Sequence, residues 1–174
     1  NTIREHCTFN LGTKGGGMLT EVGDSSLFMA GVHIAHDCII KNKTILANQV
    51  ALGGHVTVEN NAIIGGLSAV HQFCRIGSLA MIGGMTAVEN DIIPFGLAIG
   101  NRAKIKGINL VGLRRANYKN EDILELKNAV EILLSKKNKV SISEYQNNKN
   151  NQLINTLTNF INEDSTRGLC FYEN

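Results

Sequence analysis

The sequence predicts a mainly β protein, a parallel β-solenoid of triangular section followed by an α-helical C-terminal region. Three observations lead there. From Val22 to Ile93 a six-residue unit repeats twelve times without a break, opening each time on an apolar residue: Val22, Phe28, Ile34, Ile40, Leu46, Leu52, Val58, Ile64, Val70, Ile76, Ile82 and Val88. The fifth position of each unit, from Ser26 through Cys38, Val50, Ala62 and Cys74 to Ile92, is mostly small or β-branched. After Asn120 the six-residue pattern gives way to a helical one.

With 43% of residues hydrophobic, twelve apolar openings in any one of six registers would arise by chance in roughly a few of ten thousand sequences. The repeat is therefore structural. A large aliphatic and a small residue, both pointing inward, suit short strands that turn sharply. A helix of period 3.6 would drift out of a strict six-residue register. Three units of six give a coil of eighteen residues, and stacked coils bury a continuous core.

The solenoid is expected over residues 1–95. Ile3 and Phe9 already sit six apart, so residues 1–14 read as one more partial coil. The stretch TKGGGMLTE then slips the phase by one, which places an external loop near 13–21. The only proline, Pro94, cannot donate to a ladder and suits the exit from the solenoid. Residues 96–119 read as a connector rich in glycine and basic residues.

Residues 120–174 form the expected helical domain. Asn120 is a candidate cap for a helix whose apolar stripe is Ile123, Leu126, Val130, Leu133 and Leu134. Glu121 and Asp122 at its start and Lys136 and Lys137 at its end favour the macrodipole. A second helix is expected near 141–147, where SISE resembles a capping box, and a third from Leu153 to Ile161, with NNKNN between them as a loop.

Composition narrows the function classes. The chain has 174 residues and a net charge of +2, which leaves no nucleic-acid footprint. No apolar run spans a bilayer and no basic-then-apolar leader opens the chain, so a soluble, cytoplasmic protein is the default expectation. Cys38 and Cys74 share an inward column two coils apart, roughly 9–10 Å, beyond the disulfide reach of about 7 Å. With Cys7 and Cys170 they match no zinc spacing. The chain starts at Asn1 without a methionine, as though a coil had begun earlier, so an N-terminal portion is expected to be missing.

Chemistry is sought in columns. Positions eighteen apart lie one coil above another at roughly 4.8 Å, so His36, Gly54 and Gln72 form one column and Asp37, His55 and Phe73 the next. An imidazole, an empty place and an amide make a recess in a ridged face, and the glycine lets a substrate approach the backbone. His36 suits a general base near neutral pH, although a coil face may also carry histidines as plain surface residues. His33 and His36 fall on different parts of the coil, which weakens a metal reading of the same histidines.

The runs VHIAHDC, LANQVALGGHVTV, IIGGLSAVHQFC, GNRAKIKGINLVGLRR and STRGL together resemble the UDP-N-acetylglucosamine acyltransferases, hexapeptide-repeat enzymes that open lipid A synthesis. The likeness covers nearly the whole chain and implies a left-handed parallel β-helix. It also implies transfer of an (R)-3-hydroxyacyl chain from acyl carrier protein to the 3-hydroxyl of UDP-N-acetylglucosamine, by a homotrimer with sites at subunit interfaces. By the same resemblance His36 is the general base, Asp37 orients its imidazole and the Gly54 N–H serves as oxyanion donor. His33, His55, His71 and Gln72 would line the sugar and pantetheine site, and Asn109 and Arg115 the nucleotide. Gly84 would end the acyl channel, with Met85 beside it as core or channel wall. Arg102, Lys104, Lys106, Arg114 and Arg115 would receive the acidic carrier protein, although a solvated face would show the same charges. No cofactor and no metal is implied.

The chain departs from the family pattern in two ways. The family has several coils before the point where this chain begins, and they contribute an acidic and a basic residue to sugar and phosphate binding. Val111 stands where an acidic residue is expected and Ala116 where a second arginine is. The competing readings are a non-catalytic trimeric scaffold that lost its first coils, the N-acyltransferase of the same pathway, and a zinc-dependent hydratase.

Overall fold

The computed structural model describes residues 1–134 and 151–172. Its solenoid has three faces, each a ladder of two-residue strands. The first runs Thr2–Ile3, Leu27–Phe28, Ile45–Leu46, Ile63–Ile64 and Met81–Ile82. The second runs Thr8–Phe9, His33–Ile34, Ala51–Leu52, Ala69–Val70 and Ala87–Val88. The third runs Glu21–Val22, Ile39–Ile40, Thr57–Val58 and Arg75–Ile76. Partners lie eighteen residues apart: Ile45 with Ile63, Ala51 with Ala69, Ile39 with Thr57. The first and last coils differ, and in the last Ile76 bridges Ile92. Thr2 pairs with Leu27 and Thr8 with His33, and the seven extra residues leave the prism as an external loop.

The inward residues behave as the hexad requires. Phe28, Ile34, Ile40, Leu46, Val58, Ile64, Ile76 and Ile82 are fully buried, as are Val32, Cys38, Val50, Val56, Ala62, Cys74 and Ala80 at the fifth position. Val22, at the loop, is half-buried. All four cysteines are free.

Each corner turns through one residue in the left-handed backbone region. The fourth position of every unit from Ser25 to Met85 has φ between +56° and +72°. Such angles are costly for side chains other than glycine, and the surrounding ladder holds them. A side chain at this place points away from the core. Met85 is therefore exposed, which corrects its expected place in the core.

The region after Pro94 holds regular structure. Gly96–Ile99 extends the first face in parallel, and Lys104–Ile108 returns antiparallel to it. Helix α1 (Leu110–Arg115) follows, then α2 (Asn120–Leu133) and α3 (Gln152–Asn162). Ile123, Leu126 and Val130 face inward on α2 as expected, but Asn120 is not its cap. Lys119, with extended backbone and no capping side-chain bond, precedes the helix. Asn151 caps α3, its side chain accepting from the Leu153 and Ile154 amides. The helix expected near 141–147 lies outside the described residues. Arg75 ties α3 to the third face through Asp91, Glu163 and the Phe160 ring, 4.2 Å from its guanidinium.

Candidate active site

The strands of the second face carry the chain into the corner before the third, and this corner holds both predicted columns. Asp37, Gly54, His55 and Phe73 converge there with His36. His36 Nδ1 lies 2.8 Å from Asp37 Oδ2, and His55 Nε2 lies 3.8 Å from the same oxygen. The His36 and His55 rings meet edge to face at 5.2 Å, and His55 stacks on Phe73 at 4.6 Å. The column arithmetic thus located real neighbours.

Gly54 lies directly beneath the base. A methyl group on its Cα would stand 2.5 Å from His36 Cε1 and 2.7 Å from Nε2, so a side chain here would displace the His36 ring. Its N–H makes no hydrogen bond among the described residues. His36 keeps 40% of its side chain exposed while Asp37 keeps 1%, so a substrate can reach the imidazole but not the carboxylate.

The environment of Asp37 fixes its charge. Burial pushes its carboxyl pKa up, but hydrogen bonds from the Thr13 hydroxyl, from His36 and from the Thr13 amide outweigh that and hold it at about 2. With Asp37 ionised, the short contact requires the proton on His36 Nδ1, and the lone pair then sits on the exposed Nε2. His36, Asp37 and His55 also place atoms of metal-ligand type within 4.8 Å of one another. The carboxylate oxygens are already engaged by Thr13 and His36, and the arrangement is satisfied without an ion.

The other predicted residues lie at varying distance from this centre. Gln72 continues the column of His36, and His71 beside it contacts the Gln72 carbonyl at 3.2 Å. His33 is one strand back, 2.7 Å from the Thr8 hydroxyl. Gly84 is at a different corner, where an added methyl would meet the Gly66 carbonyl at 3.3 Å. Asn109 caps α1 and donates to the Leu79 carbonyl at 2.9 Å. With Arg115 it lines a groove of about 740 Å³ against Ile63, Met81 and Leu97 of the first face. That groove shares no residue with the histidine corner. Val111 and Ala116 line it too. Of the basic set, Arg102 pairs with Glu89.

Residues 91–170 match the family model described as Udp N-acetylglucosamine O-acyltransferase, domain 2. The acyl-[acyl-carrier-protein]--UDP-N-acetylglucosamine O-acyltransferase of Paracoccus denitrificans is 52% identical over 73% of this chain and 49% of its own length. That of Nautilia profundicola is 46% identical over 98% of this chain and 66% of its own. The solved UDP-N-acetylglucosamine acyltransferase from Campylobacter jejuni superposes with a TM-score of 0.90 at 38% identity, over 99% of this chain and 68% of that one. This chain belongs to the UDP-N-acetylglucosamine acyltransferase family.

As a family member it has the left-handed parallel β-helix followed by C-terminal helices that the hexads and the resemblance predicted. It spans between about half and two thirds of the length of these curated acyltransferases. Thr13, Thr20 and Gly16, which surround Asp37, were not anticipated from the sequence. The only trace of them is a pair of threonines flanking a glycine run where the repeat slips phase.

Proposed function

We propose that this chain transfers an (R)-3-hydroxyacyl group from acyl carrier protein to the 3-hydroxyl of UDP-N-acetylglucosamine. The observation that carries the reading is the exposed His36, bonded to an ionised Asp37 and seated over Gly54, in a member of this family. His36 Nε2 takes the hydroxyl proton as the sugar oxygen attacks the thioester carbonyl. The Gly54 N–H meets the developing oxyanion. The C–O bond forms, the C–S bond breaks, and the imidazolium returns the proton to the departing thiolate. Asp37 holds the ring and supports its positive charge meanwhile. His33, His55, His71 and Gln72 line the sugar and pantetheine, and Gly84 leaves room for a long acyl chain.

We further place Asn109 and Arg115 on the nucleotide, contributed by a second copy of the chain. The histidine corner and the α1 groove lie on different sides of one prism, so a single chain does not unite them. The outer column of the first face, Leu27, Ile45, Ile63, Met81 and Leu97, is apolar and only half-buried, as a surface that packs against copies of itself would be. A trimer is the expected assembly, read by sedimentation. No described helix is long and apolar enough to cross a membrane, and a water-soluble carrier as donor puts the reaction in the cytoplasm.

The test is acyl transfer by this chain and by His36→Ala. A loss of about a hundredfold or more, the scale of a general base, supports the reading. Equal activity in both overturns His36 as base. Bound stoichiometric zinc with hydratase activity would favour the metal enzyme instead.

A further inference from the structure

We propose that Thr13 is a positioning residue, and that the external loop carrying it fixes the Asp37 carboxylate so that His36 presents its Nε2 lone pair outward. The chemistry it serves is the acyl transfer proposed above, on which this inference rests. Thr13 grips both carboxylate oxygens: its amide donates to Oδ1 at 2.9 Å and its hydroxyl to Oδ2 at 2.7 Å. Oδ2 is the oxygen that faces His36 Nδ1. The loop also holds the Asp37 backbone, whose amide donates to the Thr20 hydroxyl at 2.8 Å.

The loop approaches closely because it is built to. The Gly16 and Met18 amides both donate to the Thr13 carbonyl at 3.0 Å, and Gly17 turns the chain at φ +90°. A methyl on Gly16 would land 2.1 Å from Asp37 Cγ and 2.4 Å from each oxygen, so the loop covers the carboxylate face to face. Without this cover Asp37 would have a choice of imidazoles. His36 and His55 both face Oδ2, and the adjacent Cys38 thiol is buried in the core. Two donors from Thr13 leave the carboxylate one orientation, with Oδ2 toward His36 Nδ1. Loss of the hydroxyl frees it to turn toward His55, and the tautomer of His36 is then no longer fixed.

The test needs no substrate. In protein labelled with ¹⁵N-histidine, wild type is expected to show His36 as the Nδ1–H tautomer with a slowly exchanging Nδ1 proton. Thr13→Ser keeps the hydroxyl and should keep that signal. Thr13→Val should lose it or show mixed tautomers, and Gly16→Ala, which pushes on the carboxylate, should do the same by an independent route. Circular dichroism reports whether each variant is folded. In acyl transfer, kcat should fall about tenfold in Thr13→Val with KM unchanged and recover in Thr13→Ser, the scale of one lost hydrogen bond to a charged group. An unchanged His36 signal in folded Thr13→Val and Gly16→Ala overturns the proposal. Signals that move as expected in a protein without acyl transfer would sink the functional reading and leave the loop's hold on Asp37 intact.

Discussion

Asp37 stands at the corner before the third face, whereas Asp91 lies at the far end of that face beside Arg75, where Ile76 bridges Ile92. Both carboxylates are buried, yet their neighbours give them opposite roles. Asp91 is closed off by Arg75, whose amide and Nε lie 2.8 and 2.7 Å from its two oxygens. Its own backbone bonds Gly168 and Cys170, so it fastens the C-terminal segment to the solenoid. Asp37 instead meets an imidazole that stays exposed on its far side. A guanidinium holds its charge at every accessible pH, whereas an imidazole can take up and release a proton. One buried carboxylate thus serves as a lock at the end of the solenoid, and the other, in the proposed reaction, as the support of a base.

The largest expected effect is on the lock. Asp91→Ala leaves the Arg75 guanidinium, only 15% exposed, with Glu163 as its remaining carboxylate. Breaking such a buried pair costs about 3 kcal/mol, measurable by urea unfolding. A change below about 1 kcal/mol would mean that Asp91 is no lock and the contrast fails. The His36 Nδ1–H signal should be the same in this variant as in wild type.

Asp37→Asn tests the other end. The fold should persist while kcat falls by about a hundredfold or more, because an amide cannot support the imidazolium. Acid stability sharpens the point. The carboxyl is depressed from 3.8 to about 2, so its contribution is complete above its unfolded value and is lost as pH falls through the folded one. Wild type and Asp37→Asn should therefore converge in stability between pH 4 and 2. Since Asp37 stays ionised above that window, an acid limb of kcat/KM at milder pH should survive in Asp37→Asn. A limb that vanishes in that variant would assign it to the carboxyl instead.

The column itself was legible because the repeat writes every inward position into the sequence, and three units per coil turn spacing into neighbourhood. His36 over Gly54 and Asp37 beside His55 follow from that arithmetic alone. The corner conformation was not legible. Of the fourth-position residues Gly31, Asp37, His55 and Asn61 are types that favour a positive φ, while Lys43, Leu67, Phe73 and Met85 adopt it because the ladder on either side leaves no other path. The outward aim of Met85 went unseen for the same reason. The grip of Thr13 on Asp37 spans twenty-four residues through a loop that has no period, so nothing local announces it. Asn109 illustrates a third limit. Its place was expected from resemblance, but its bond to Leu79 depends on the return of a hairpin that reads in sequence as a connector.

The smallest expected effect lies in the aromatic stack beside Asp37. Phe73 sits under His55 with ring planes 15° apart, and it has φ +68°. Alanine there keeps the backbone cost, since it too carries a Cβ, and removes only the ring. Comparing Phe73→Ala, His55→Ala and the double variant by urea unfolding isolates the pair, for which aromatic contacts give about 0.5–1.5 kcal/mol of coupling. If the stack steadies His55 against Asp37 Oδ2, Phe73→Ala should also lower kcat a few-fold. Coupling near zero would mean that His55 is held by Asp37 alone and that the Phe73 ring adds nothing to the corner.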